Sequence, residues 1–125
     1  MHRVLVLAVA AVLLLAGCGK NTPTYSLEKT SDCLTGKGVR LGGPLDFVAT
    51  TATGGAVRAH LPNNALTLVF GLSPNDADNI DAAYRRFHAS NVGIDDVLRQ
   101  QNNAVMLWQA HPADDEVALV TGCLK

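Results

Sequence analysis

An unbroken apolar run from Val4 to Ala16 follows the cationic Arg3, and nothing later in the sequence repeats it. It falls short of the roughly 20 residues that a membrane-spanning helix needs. A short apolar run behind a positive start reads as a secretory signal, so the chain divides into an export leader and a body. With 125 residues in all, the body has room for one core and one domain. The net charge is −1, from 10 Lys+Arg against 11 Asp+Glu. That leaves no basic field to hold nucleic acid.

The end of the leader specifies its type. Leu15-Ala16-Gly17-Cys18 places a branched apolar residue and two small ones ahead of a cysteine, and this resembles the lipobox of bacterial lipoproteins. The resemblance implies cleavage between Gly17 and Cys18, a diacylglyceryl group on the Cys18 sulfur, and acylation (palmitate or a similar chain) of the freed amine. Two or more acyl chains anchor a protein stably where one does not. Residues 1–17 are then the signal peptide, 18–25 a lipidated tether of small polar residues, and 26–125 the folded domain. The expected location is the extracytoplasmic face of a bacterial cell membrane. An uncleaved signal anchor, or an ordinary secretory signal with an unrelated cysteine, is the alternative. Nothing in the residues separates inner from outer membrane, but the Ala/Thr/Val-rich body is somewhat similar to small lipoproteins of actinobacteria, and that resemblance favours a single membrane.

Lipidation would use one of the three cysteines. Cys33 and Cys123 are left as an even pair in an oxidising compartment, and a structural disulfide between the two ends of the domain is the expectation. Neither belongs to a CxxC pair, so neither a zinc site nor a redox pair is indicated.

Along the body, Ser26 caps a helix that Gly36 and Gly38 end, with Leu27, Thr30, Cys33 and Leu34 as its buried face. Gly42-Gly43-Pro44 breaks the chain, and the β-branched and aromatic content of 46–51 predicts a strand. Val57, Ala59 and Leu61 alternate in a second strand after the Thr53-Gly54-Gly55 turn. Residues 66–72 give a third, more central strand. Ser73-Pro74 opens a helix with a packed stripe of Ile80, Ala83, Tyr84 and Phe87, ending near Ala89. Ile94–Gln101 reads as one further short helix, Asn102-Asn103 as a turn, and Val105–Trp108 as a fourth strand. Residues 112–124 start as a helix, with a strand over 117–121 as the alternative. The expected fold is α+β, in the order α-β-β-β-α-β-α, with a mainly antiparallel four-stranded sheet and helices on one face.

Chemical constellations are sparse. Asp76, Asp78 and Asp81 fail as a calcium loop, because Ile80 takes a ligand position and the glycine and closing glutamate are missing. They suit the start of a helix instead, as Asp114-Asp115-Glu116 do. His60, His88 and His111 have no second histidine at ligand spacing, so no metal site is expected. No serine sits in a nucleophile elbow, and no glycine pair completes a phosphate loop. Hence no catalytic residue and no cofactor is assigned. Trp108 and His111, near the end of a strand, and His60, on the sheet, form a possible binding surface, with Trp108 in the core under a helix as the competing reading.

The function expected is therefore that of a membrane-anchored envelope lipoprotein acting as a binding or structural module, partnered by the membrane and by an envelope protein. The alternatives are a small extracytoplasmic hydrolase or metal-dependent enzyme whose residues meet only in three dimensions, and a sensor or inhibitor subunit marked by an apolar patch near Trp108.

Overall fold

A computed structural model describes residues 23–88 and 93–125. The leader, Cys18, the first part of the tether and the expected helix end at Ala89 lie outside the described residues. Ten elements follow one another: α1 (Leu27–Gly36), β1 (Arg40–Leu41), α2 (Phe47–Thr50), β2 (Ala56–His60), β3 (Ala65–Phe70), α3 (Pro74–Phe87), α4 (Ile94–Val97), β4 (Leu98–Gln101), β5 (Ala104–Trp108) and α5 (Asp114–Cys123). The fold is α+β, and its sheet has five strands in the order β1-β2-β3-β5-β4, every neighbouring pair antiparallel.

The central strand explains the layering. Every residue of β3 is buried, so both faces of the sheet must be covered. Leu66, Leu68 and Phe70 point with Ala59, Met106 and Trp108 into one core, closed by Leu34 of α1 and Val120 and Cys123 of α5. Val69 and Val105 point the other way, against Ala49 of α2, Ala77, Ile80 and Tyr84 of α3, and Leu98. Alternate residues of a strand face opposite sides. The expectation of helices on one face is therefore corrected to α1 and α5 on the first face and α2 and α3 on the second.

Two strands escaped the sequence reading, and one expected strand is a helix. Residues 46–51 hold α2 because their polar groups are satisfied locally. The Asp46 carboxylate accepts the Ala49 N–H at 2.9 Å, and the Thr50 and Thr51 hydroxyls donate back to the Asp46 and Phe47 carbonyls at 2.8 and 3.1 Å. Side chains of this kind compete with ladder pairing and override β-propensity. The expected helix over 94–101 stops at Val97, and Leu98–Gln101 become β4, paired Leu98 to Leu107 and Gln101 to Ala104. As an edge strand, Arg99-Gln100-Gln101 carries no apolar alternation to reveal it. The two-residue β1 adds the opposite edge.

Other expectations hold. Ser26 caps α1, accepting the Lys29 N–H at 3.2 Å, and Ser73 caps α3, accepting the Asp76 N–H at 3.2 Å. Residues 117–121 lie within α5 and are not a strand. Glu116 at its start accepts the Ala113 N–H at 2.9 Å. Cys33 of α1 and Cys123 of α5 form a disulfide with their Cα atoms 5.4 Å apart. Among the described residues, no helix is long and apolar enough to cross a membrane.

Candidate binding cleft

The second face is covered incompletely. α2 spans a single turn, and beyond it an open cleft of about 660 Å³ lies between α2, the end of α3, α4 and the last residues of β5. Phe47 and Val48 form one wall, Tyr84 and Phe87 another, and Ile94, Val97 and Leu107 complete an apolar floor and side. Asp46, His88 and Gln109 supply polar groups at its margin.

Tyr84 and Asp46 fix the geometry of these walls. The Tyr84 hydroxyl donates to both carboxylate oxygens of Asp46, at 2.9 and 3.1 Å, while one of those oxygens also caps α2. One carboxylate thus locks the start of α2 to the flank of α3. Burial, and then the bond to the Asp46 carboxylate and its charge, push the Tyr84 phenol well above its ordinary range, so it stays a neutral donor. On the outer side of α3, Arg85 donates to Asp81 at 2.7 Å and to Asp95, joining the helix to the beginning of α4. Those two carboxylates raise the Arg85 guanidinium, which is positive in any case. Gln109 accepts from Arg58 at 3.0 Å, and Arg58 also donates to Thr67 at 3.2 Å, so this margin is tied across the sheet.

Phe47 is 77 % exposed and Phe87 69 %. The expected packed stripe of α3 holds at Ile80 and Tyr84, but Phe87 is corrected from buried to exposed. Phe87 borders the open cleft together with Phe47, Ile94 and Leu107. Covering each phenylalanine would contribute about 1.5–3 kcal/mol, which makes the pair suited to association through apolar contact.

The three residues of the expected binding surface lie at this same end of the sheet but do not converge. Trp108 is 2 % exposed in the first-face core and reaches the cleft only along its margin. The His60 ring meets the Gly42 carbonyl at 2.8 Å, beside the β1 edge. The His111 ring meets Asp96 at 2.5 Å, beside α4. Among the described residues, no three His, Cys, Asp or Glu side chains are grouped to hold a metal ion. The α3 carboxylates serve the fold: Asp76 accepts the Leu72 N–H at 3.0 Å and the Thr53 hydroxyl at 3.2 Å, and Asp78 accepts Gln100 at 2.7 Å.

Sequence reasoning missed Phe47, Asp46 and Tyr84 as a unit. The usable signal was an aspartate three residues before a small residue, Ala49, which marks a helix cap as readily as a turn. No protein-family model matches the chain, and no curated protein or solved structure matches it either.

Proposed function

We propose that this chain is a lipoprotein on the extracytoplasmic face of a bacterial cell membrane, acylated at Cys18, whose domain binds an apolar segment of an envelope protein partner. The observation that carries the binding role is the cleft with its two exposed phenylalanines. Only Leu45, Phe47, Leu72 and Phe87 are large exposed apolar residues among those described, and two of them line this one feature. Exposed aromatics at a groove favour a partner surface that covers them, whereas a small ligand is usually enclosed on most sides. The Cys33–Cys123 disulfide supports an oxidising compartment, and the lipobox-like Leu15–Cys18 segment supports the anchor.

Two measurements test the proposal. Cys18→Ala is expected to move the protein from the membrane fraction to the soluble fraction; full membrane retention refutes the anchor. A photo-crosslinking residue at position 87 in growing cells is expected to give a discrete adduct that Phe47→Ser abolishes, while the same residue at Lys37, on the opposite face, gives none. Equal adducts at both positions, or none at position 87, refute the binding role.

A further inference from the structure

The described chain enters the domain at one place. The Asn102 side-chain amide donates to the Pro23 carbonyl at 2.7 Å. Asn103 accepts the Tyr25 N–H at 2.7 Å and donates to the Tyr25 and Gly71 carbonyls at 2.9 and 2.8 Å. Gln101 donates to the Tyr25 hydroxyl at 3.0 Å. All three residues belong to the β4–β5 hairpin, so the chain is secured to the domain from Pro23 onward. Leu72, 68 % exposed, stands at this same end, one residue beyond Gly71, whose N–H donates to the Asn103 carbonyl at 2.8 Å. The cleft belongs to the other end, where Leu107, Trp108 and Gln109 finish β5.

We infer that the acylated domain stands on its β4–β5 end, with Leu72 at the boundary between lipid headgroups and acyl chains, and carries the Phe47–Phe87 cleft away from its own bilayer. This orientation rests on acylation of Cys18 as proposed above. Five Cα steps separate Cys18 from Pro23, and at full extension they reach about 18 Å. That barely equals the roughly 17 Å of a five-residue strand. Pressing the cleft onto the membrane would stretch the tether along the whole height of the sheet and remove its conformational freedom. The upright arrangement demands no extension, and it gives the exposed Leu72 an apolar neighbour. Asp76 and Asp78 lie close by, their carboxylates held by neutral donors within the domain, so acidic side chains border the contact and zwitterionic lipid suits it better than anionic lipid. The cleft's partner then approaches from the aqueous side, as an envelope protein does and as the lipid of the anchoring membrane does not.

The test attaches the chain from Cys18 onward, its disulfide intact, through the Cys18 thiol to maleimide lipid in phosphatidylcholine vesicles with brominated acyl chains. Leu72→Trp and Phe87→Trp are compared with the parent, which has Trp108 alone. Both positions are exposed, so neither change disturbs packing. Bromine is expected to quench the added emission of Leu72→Trp and to leave Phe87→Trp and the parent unchanged. Quenching of Phe87→Trp to an equal or greater degree, or of neither variant, overturns the orientation. Intact mass of the protein taken from its native membrane reports separately on acylation. A bare Cys18 there defeats the anchor, while the vesicle result still judges the geometry.

Discussion

Asn103 is the residue whose loss should be felt most sharply for its size. It is 1 % exposed, and its amide makes three hydrogen bonds, two to the Tyr25 backbone and one to the Gly71 carbonyl. Asn103→Ala removes all three and leaves those backbone groups without partners. At about 1 kcal/mol net for each bond, the expected loss is about 3 kcal/mol. Urea unfolding followed by the emission of Trp108, the single tryptophan, measures it. With a slope near 2 kcal/mol per molar, the midpoint should fall by about 1.5 M with the slope unchanged. Asn102→Gly is the control: Asn102 has φ 51°, which glycine adopts freely, and the change removes the 2.7 Å bond to the exposed Pro23. Its effect should stay below about 1 kcal/mol. A loss under about 1 kcal/mol for Asn103→Ala, or equal losses for both variants, would refute the claim that the amide secures the entering chain.

Three further outcomes are expected. Because the folded state holds the Tyr84 proton to higher pH than the unfolded state does, its stabilisation is complete below the ordinary tyrosine pKa near 10 and declines as the pH rises beyond it, by up to about 1.4 kcal/mol per pH unit. Tyr84→Phe should flatten the alkaline stability curve by that share, and superimposable curves would count against the buried phenol. Replacing Cys33 and Cys123 together by alanine opens a loop spanning 90 residues and should lower stability by up to about 4–5 kcal/mol in thermal or urea unfolding; an unchanged midpoint would show that the bridge constrains little. A Cβ at Gly54 would lie 2.6 Å from the Phe70 carbonyl oxygen, so Gly54→Ala should cost about 1–3 kcal/mol by overpacking, and a neutral result would contradict that close approach.

Legibility in the sequence tracked whether a residue's partners were near it along the chain. Helix caps at Ser26 and Ser73, the Asn102-Asn103 turn and the alternation in β2 and β3 depend on neighbours within a few positions, and these could be read directly. The disulfide was legible through compartment and parity, without any geometry. β4 was not, because Arg99-Gln100-Gln101 owes its strand conformation to pairing with β5. The segment 46–51 misled through its side chains: threonines that favour strands instead satisfied helical carbonyls. The distribution of helices over both faces followed from Val69 and Val105, whose burial looked like mere continuity of apolar strands. The cleft was hidden for a related reason. Phe87 falls on the helical stripe, yet it borders the open cleft and stays exposed.

The Ser26 N–H meets the Lys125 carbonyl at 2.5 Å, and the Lys125 N–H donates to the Thr30 hydroxyl at 3.1 Å. Ser26 and Lys125 are thus neighbours. A short peptide could splice them, and new ends opened at the exposed Pro62-Asn63 loop would yield a circular permutant with every strand pairing retained. In practical terms, a fluorescent fusion carried at Lys125 would crowd the root of the leash, whereas one inserted at Pro62-Asn63 would ride at the far tip.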